Sequence, residues 1–570
     1  MNKFNILIAI LVCLNICGCS DFLEEDPKGR LTTDNFYNSE SDARQAINGV
    51  YRRLSDSWVT GYNMKQIPND LLKRASWDEA SGLSNFTYGS ENTYIAGMWQ
   101  NHVAQAQGIR AFLYFDLVRW FGDVPLVLKD TKSLDGLEVT RTPQKEVFQQ
   151  IIEDFEYCID HTLAKGDTSQ GYQYGRLTKD ACRGFLAKVY LWLGSVAQRD
   201  GKEILGNAAD NFEKSLEYSS AVIQGGRYKL VDYYPDVFNA KTRDKAPDEV
   251  LWCVQGLTGD DTGTWTGMMF GIRGSQNLGG SWDNISSSDY HRMIYEPSDS
   301  IRRLWNCPRM TIQEDGTLWG WDYKMYWDTR GDQKLSEATE NNNWLQWSIG
   351  KFRRFPLADP SSYNYTNFGM DEPLLRYADV LLMYAEAYNE VNHGPGDYRP
   401  SSGIDMSGIS VQSAYDAVNL VRKRSRIANE GIMHQDVLPR KLITDYINKV
   451  DECVPDWKPN SYGYIYDGVR TVWDYNRYGD DYTAFRTEIL NERARELVAE
   501  STDRWCDLVR RGTLVKQMQV WRQYNPFISN TEREITTPGA PENIQSRNML
   551  LPIPLSEIDT NKNLTQNPGY

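Results

Sequence analysis

Two short segments combine aromatic and hydrogen-bonding side chains in the way that recognition of a sugar ring requires. They are Trp282-Asp283-Asn284 and Trp319-Gly320-Trp321-Asp322-Tyr323. A flat indole or phenol ring can stack on the apolar C–H face of a sugar, while carboxylate and amide groups bind its hydroxyl edge. If the second segment is extended, Trp319, Trp321 and Tyr323 point to the same side of the chain.

The same combination of residues directs attention to two irregular stretches of the chain. Nine of the 18 Trp lie between Trp252 and Trp347, within a stretch from about 240 to 350 where Gly, Asp, Ser and Asn are frequent and helical periodicity fades. A second irregular stretch runs from about 55 to 98. Loops carried on a regular scaffold are common binding surfaces. For any single residue, burial in the core is an equally good interpretation. The candidate ligand contacts are Trp77, Tyr88, Asn92, Trp282, Asn284, Trp319, Trp321 and Tyr323.

The sequence offers little for catalysis or metal binding. Its five His form no H-E-x-x-H or other metal spacing, and there is no G-x-S-x-G or phosphate-binding loop. Carboxylate pairs suited to glycoside hydrolysis remain open, because 77 acidic residues offer many candidates and the required separation is a spatial property. Asp260, Asp261 and Asp299 could help to bind a structural Ca²⁺, although solvated loop charge is the simpler interpretation. We therefore expect no catalytic residues and, apart from this calcium alternative, no cofactor.

The first nineteen residues predict export and lipidation. Phe4 to Ile16 form an apolar run of the length of a signal peptide, too short to span a bilayer. Ile16-Cys17-Gly18-Cys19 then follows the pattern of a bacterial lipoprotein signal, in which residues 1–18 are removed and Cys19 is acylated. An ordinary secretory signal is the alternative. Residues 19–35 would form an acidic tether, and acyl chains would hold the protein to a membrane without a transmembrane helix.

The remaining chain, residues 36–570, is predicted to be one domain of irregularly paired α-helices. It carries the aromatic-rich insert at about 240–350 and a C-terminal segment at about 370–570. The pairing is similar to that of tetratricopeptide repeats. A net charge of −15 argues against nucleic acid as a partner. Apolar residues at spacings of three and four predict helices that begin at Thr142-Pro143 and near Thr178, a helix that ends at Gly225-Gly226, and helices over 374–390, 413–424 and 491–511.

Several segments together resemble the SusD/RagB family of nutrient-binding outer-membrane lipoproteins. They are RAFLYFDLVRWFGDVPLVL (110–128), GRLTKDACRGFLAKVYLWLG (175–194), LLRYADVLLMYAEAYNE (374–390), NERARELVAESTDRWCDLVRRG (491–512) and LPIPLSEIDTNKNLTQNPGY (551–570). With the lipoprotein signal, the match covers nearly the whole chain. One departure is that only ten residues separate Trp99 from the first segment, so the first helical pair looks shortened.

The resemblance implies a mostly α-helical, SusD-like fold in which tetratricopeptide-repeat-like helical pairs pack against an irregular, loop-rich lobe. It also implies a protein that is lipid-anchored to the outer membrane and faces the cell exterior. Such a protein binds oligo- or polysaccharide and delivers it to a SusC-like TonB-dependent transporter. Three alternatives remain: a RagB-like lid that binds peptide or glycopeptide, a gating subunit without substrate contact, and a surface hydrolase.

Overall fold

The computed structural model describes a large part of the chain beyond residue 71. The predicted signal peptide, Cys19 and the tether lie outside the described residues. The described residues are 72–74, 107–129, 138–167, 172–239, 242–256, 266–271, 281–282, 284–288, 291, 294–295, 299, 302, 305–307, 310–312, 318–320, 347–352, 369–427, 465–466, 469–470, 481–500, 503–523 and 543–570.

Most residues of the described elements are α-helical, and the predicted fold class is confirmed. Of the described helices, none is both long enough and apolar enough to cross a membrane. The helices, in chain order, are α1 (Gln107–Phe121), α2 (Gln144–His161), α3 (Lys179–Asp200), α4 (Ala208–Gln224), α5 (Thr266–Met269), α6 (Tyr377–Val391), α7 (Ala414–Ile427), α8 (Asp481–Glu496), α9 (Asp503–Arg510), α10 (Leu514–Gln523) and α11 (Leu555–Thr560).

Neighbouring helices pack against each other: α1 against α2, α3 against α4, and α6 against α4, α7 and α8. Helix α3 shows how local residue types set the bounds of these elements. It begins after Thr178, whose hydroxyl accepts the Ala181 N–H at 3.2 Å, and ends at Gly201 with φ +65°. Inside the helix, Gly194 allows α4 to come close, since a Cβ there would lie 2.9 Å from the Phe212 ring.

Two predicted helix starts need correction. Helix α2 begins after Pro143 with no side-chain cap from its own N-terminal turn, and Asp123 instead accepts the Gln144 N–H at 2.9 Å. The predicted helix 374–390 begins only at Tyr377, because Leu374 and Leu375 belong to a strand. An apolar run that is buried on both faces fits a strand as well as a helix, so periodicity alone cannot separate the two.

The predicted helix 491–511 is also wrong in extent. Helix α8 ends at Glu496, Ala499 adopts φ +61°, and α9 starts at Asp503. The break leaves the carbonyl groups of Glu496 and Val498 free to accept hydrogen bonds from Lys351, at 2.7 and 3.1 Å. An unbroken helix would use these carbonyls for its own N–H groups.

The strands are short and pair antiparallel in small sheets. The pair formed by β2 (Val250–Val254) and β7 (Glu372–Arg376) lies on the core, where Trp252 packs edge-on against Phe112 and Phe185 at centroid distances of 5.2 and 5.7 Å. The sheets are β1–β3–β6, β2–β7, β4–β5 and β8–β9, formed by β1 (Leu72–Arg74), β2 (Val250–Val254), β3 (Ile285–Ser287), β4 (Met310–Ile312), β5 (Leu318–Gly320), β6 (Trp347–Ser348), β7 (Glu372–Arg376), β8 (Ile465–Tyr466) and β9 (Val469–Arg470).

The C-terminal residues close the helical part at the end of α1. The Leu551 N–H donates to the Trp120 carbonyl at 2.7 Å. The Asn567 side-chain amide donates to the carbonyls of Phe121 and Leu551 at 3.0 and 2.7 Å, and Arg141 donates to the same Phe121 carbonyl at 2.9 Å. These contacts explain why the motifs at 110–128 and 551–570 occur together, since each satisfies backbone groups of the other.

Candidate functional site

The sheet β1–β3–β6 connects the two aromatic-rich stretches of the sequence. Strand β3 lies in the middle, between β1 and β6. The last residue pair at one end is Arg74 with Ile285, and because the pairing is antiparallel, the chain leaves β1 and enters β3 at that end. In the sequence, Trp77 follows Arg74 by three residues and Trp282 precedes Ile285 by three. Two candidate contacts therefore belong to segments that start from the same end of one sheet.

Asn284 offers the clearest opening for a ligand. The residue is 7% exposed, and its side-chain oxygen Oδ1 has no hydrogen-bond partner among the residues that the structure describes. A buried polar atom without a partner costs about 1–3 kcal/mol, and native structures contain few of them. A sugar hydroxyl could donate the missing hydrogen bond. Trp282, two residues earlier, is half-buried, and its backbone N–H donates to the Met268 carbonyl at 2.8 Å.

Trp319 belongs to a different sheet. It lies on β5, opposite Thr311 of β4. Residues Leu318–Gly320 form this strand, and the remainder of the segment, 321–323, lies outside the described residues. The β4–β5 hairpin is not hydrogen-bonded to the β1–β3–β6 sheet among the described strands. The structure therefore does not join Trp319 to Trp282 and Asn284 in one sheet.

Several other predicted residues can be placed. Asp299, a calcium candidate, is buried and accepts hydrogen bonds from Arg302 Nε at 3.0 and 2.9 Å, so ion pairing accounts for it. Among the described residues, no three His, Cys, Asp or Glu side chains come together to hold a metal ion. Trp120, Tyr384 and Trp505 are buried in the core. The predicted site residues that lie outside the described ranges are Cys19, Trp77, Tyr88, Asn92, Asp260, Asp261, Trp321 and Tyr323.

Sequence analysis missed a buried cluster of charged side chains around the C-terminal end of α8, which we name the α8 ion cluster. It contains six cations and six carboxylates, so its charges balance. Every member is at least nine-tenths buried. The members are Arg302, Lys351, Arg376, Arg422, Arg424, Arg495, Glu249, Asp299, Glu488, Glu492, Glu496 and Glu500.

Glu496 lies at the centre of the α8 ion cluster. Its carboxylate contacts Arg302 at 3.0 Å and Arg376 at 2.9 Å, and also Arg424. Burial alone would raise the pKa of this carboxyl, but the guanidinium groups outweigh burial and hold the pKa well below its usual range. The same balance lowers the pKa of Glu492 to about 2. Charges removed from water are costly unless they are paired, so the cluster depends on all of its partners.

The sequence did contain a signal for this cluster. Between Glu488 and Arg511, acidic and basic residues alternate with apolar ones and leave no single polar face. A surface helix shows its charges on one face. The predicted helix over 491–511 rested on its apolar residues alone, although α8 buries both apolar and charged residues.

The comparisons with known proteins all point to one family. The model of the SusD family matches residues 287–570, and a model described as starch-binding and associating with the outer membrane matches residues 30–191. The SusD-like protein P2 of Formosa agariphila is 25% identical to this chain over an alignment that covers 100% of both proteins.

Solved structures share the fold. A SusD homologue of Bacteroides thetaiotaomicron superposes with a TM-score of 0.71 at 19% identity, covering 95% of this chain and 99% of that one. A laminarin-binding SusD-like protein gives a TM-score of 0.58 at 18% identity, covering 94% of this chain and 100% of that one. With both family models and a relative aligned over its full length, the chain belongs to the SusD/RagB family.

Proposed function

We propose that this protein binds glycan at the bacterial surface, without catalysis, and delivers it to a SusC-like TonB-dependent transporter. The observation that carries the proposal is the unpartnered, buried oxygen of Asn284 beside the half-buried Trp282, at the end of the sheet that connects both aromatic-rich stretches. A sugar ring supplies an apolar C–H face that can stack on an indole and hydroxyl groups that can donate the missing hydrogen bond.

The similar laminarin-binding protein supports carbohydrate as the class of ligand. A neutral glycan also suits the chemistry of the candidate residues, since Trp282 and Asn284 carry no charge. A peptide or glycopeptide ligand and a pure gating role remain the alternatives, and the experiment below separates them from glycan capture.

The proposed location is the outer face of the outer membrane, held by acyl chains on Cys19. The description of the matching family model, which mentions association with the outer membrane, supports this location. A Cys19→Ala variant should release the protein from the membrane fraction, and labelled palmitate should mark the wild type but not the variant. If the variant stays in the membrane fraction, the anchor lies elsewhere.

The test of glycan capture is affinity gel electrophoresis of the protein lacking residues 1–19, with laminarin and a panel of plant, host and microbial polysaccharides. We expect one polymer to retard the wild type, and Trp282→Ala and Asn284→Ala to migrate freely in that gel. A Trp319→Ala/Trp321→Ala double variant tests the separate β4–β5 hairpin. Tyr157→Ala is the matched control, because Tyr157 is an aromatic residue that is 51% exposed on α2.

Each outcome has a distinct meaning. Retardation that Asn284→Ala and Trp282→Ala abolish supports glycan capture at the end of β3. Retardation that only the hairpin variant abolishes moves the site to β4–β5. Free migration of the wild type in every gel contradicts glycan capture and favours peptide cargo or gating, which a peptide panel would then separate. Release of reducing ends from the retarding polymer would establish a hydrolase.

A further inference from the structure

The aromatic-rich insert is attached to the C-terminal end of helix α8 by polar contacts that converge on a few backbone carbonyls. The Tyr295 hydroxyl donates to the Arg495 carbonyl at 2.8 Å, and the Asn306 amide donates to the same oxygen at 3.2 Å. In return, Arg495 Nη1 donates to the Ile294 carbonyl at 3.0 Å. The chain that follows β3 is therefore tied to the last turn of α8 in both directions.

Lys351 makes a second attachment, three residues after β6. Its ammonium group donates to the carbonyls of Glu496 and Val498 at 2.7 and 3.1 Å and contacts the Glu500 carboxylate. The last carbonyls of a helix have no partner within the helix, and a cation near them is favourable. Burial lowers the pKa of Lys351 to about 8, with Glu500 opposing that effect. At neutral pH the side chain thus keeps its charge.

Arg302 makes a third attachment, and the attachments are joined to each other. Arg302 contacts Glu492 at 2.6 Å and Glu496 at 3.0 Å. The Trp305 indole N–H donates to the Lys351 carbonyl at 3.0 Å, and the Gly350 N–H donates to the Asn306 carbonyl at 3.2 Å. The two arms that leave β3 and β6 are therefore held together as well as held to α8.

These contacts lie next to the candidate glycan site along the chain. Ser286 of β3 pairs with Ser348 of β6. Because the two strands are antiparallel, Asn284, just before β3, and Gly350, just after β6, lie at the same end of the sheet. The residue after Gly350 is Lys351. Backbone pairing between β3 and β6 therefore links Lys351 to Asn284 through a few residues.

We infer that the C-terminal end of α8 is the seat that fixes the glycan-binding segment, and that Lys351, Tyr295, Asn306 and Arg302 are positioning residues for ligand binding. The inference rests on the proposed function for its ligand. It goes further by assigning a role to buried residues that are not among the candidate ligand contacts.

The choice of charged contacts over apolar ones fits this role. Apolar side chains of similar volume would give equal or greater stability at such a site. An apolar contact, however, has no preferred direction, whereas hydrogen bonds from an ammonium to two carbonyls fix the donor in one place. Binding groups need to be held in position by residues whose own positions are locked.

The test compares two buried lysines in the purified full chain in detergent. Lys351→Met removes the attachment. Lys188→Met is the matched control, because Lys188 on α3 is 7% exposed and lies 2.7 Å from Asp379 of α6 and from Asp503 of α9, neither of which belongs to the insert. Each variant removes one of the cations that pair with a buried carboxylate, Glu500 in the case of Lys351 and Asp379 and Asp503 in the case of Lys188, so both should lose stability.

Two readouts separate positioning from stability. In hydrogen–deuterium exchange under conditions where both variants are folded, Lys351→Met should exchange at least tenfold faster over residues 281–288, and Lys188→Met should not. Affinity for the polysaccharide that retards the wild type should fall at least fivefold in Lys351→Met and stay within twofold in Lys188→Met. Equal exchange over residues 281–288 in the two variants, or unchanged affinity in Lys351→Met, overturns the inference.

A milder pair covers the case in which Lys351→Met does not fold. Tyr295→Phe removes the hydroxyl that donates to the Arg495 carbonyl and also contacts His291 and Asn306. Tyr377→Phe removes a hydroxyl that donates to the Ser407 carbonyl, outside the insert. The same two readouts apply, with the effect expected in Tyr295→Phe alone. If the wild type binds no polysaccharide, the proposed function fails. The exchange result then decides separately whether α8 fixes the segment.

Discussion

Replacement of Glu496 by Gln should be among the most destabilising single changes that the structure suggests. Gln has nearly the same shape but no charge. Three guanidinium groups, those of Arg302, Arg376 and Arg424, would face a neutral amide, and the α8 ion cluster would hold six cations and five carboxylates. Breaking a buried ion pair by removing one partner costs about 3–5 kcal/mol, because the remaining charge is left buried without compensation.

The assay is equilibrium unfolding in urea, followed by far-UV circular dichroism. Glu217→Gln is the control, since Glu217 is exposed on α4 and its nearest cation, Lys214, is 3.9 Å away. Exposed pairs of this kind contribute little to stability. A second variant, Glu496→Gln with Arg424→Gln, restores equal numbers of cations and carboxylates. Its loss of stability should be smaller than the sum of the two single losses.

Two results would refute this reasoning. If Glu496→Gln lowers the free energy of unfolding no more than Glu217→Gln does, the cluster is not held by charge. If the double variant loses the full sum of the single effects, charge balance within the cluster does not matter, and each contact acts independently.

Three further predictions concern other parts of the structure. Asn284→Leu removes the unpartnered amide oxygen, so the urea midpoint should hold or rise while retardation in the glycan gel is lost; a fall in both would mark Asn284 as structural. Because the folded-state pKa of Glu492 is about 2, below the ordinary value of about 4.5, its contribution to stability is complete above pH 4.5 and is lost as the pH falls towards 2. The difference in unfolding free energy between wild type and Glu492→Gln should therefore shrink over that range, and a constant difference would contradict the pKa. Gly194→Ala should cost about 1–3 kcal/mol in urea unfolding, because its Cβ would lie 2.9 Å from Phe212, and Gly403→Ala, with nothing within 4 Å, should cost less. Equal costs would show that α4 shifts freely.

The features that sequence reasoning predicted well depend on local signals. The start of α3 at Thr178 and the end of α4 before Gly226, which has φ +62°, follow from the intrinsic preferences of single residues. The strand β7 was missed because its identity depends on pairing with β2, which is distant in the sequence. The run at Leu374 and Leu375 carries no local mark of that partner.

Of the candidate site, too, the sequence predicts one part and not the other. The residue types of Trp282 and Asn284 pointed to sugar binding without any structure. The link between the stretch that contains Trp77 and the stretch that contains Trp282 comes from the register of β1 with β3, a long-range property that one sequence does not display. Burial of the charges around Glu496 is likewise decided by which helices exclude water from them.

A reason for the α8 ion cluster follows from the nature of the insert. The insert buries aromatic side chains such as Tyr295 and Trp305, but an aromatic face that it gives to a ligand is not available to hold it in place. The described strands of the insert are only two or three residues long after β2, so backbone pairing adds little. The remaining means of fixing such a segment is a small number of directional polar contacts to a rigid element, and contacts from Tyr295, Arg302, Asn306 and Lys351 to α8 and the turn that follows it are of that kind. Their buried, charge-balanced surroundings exclude water, which strengthens each contact. In the proposed function, the buried charges of the α8 ion cluster thus fix the segment that contacts the ligand.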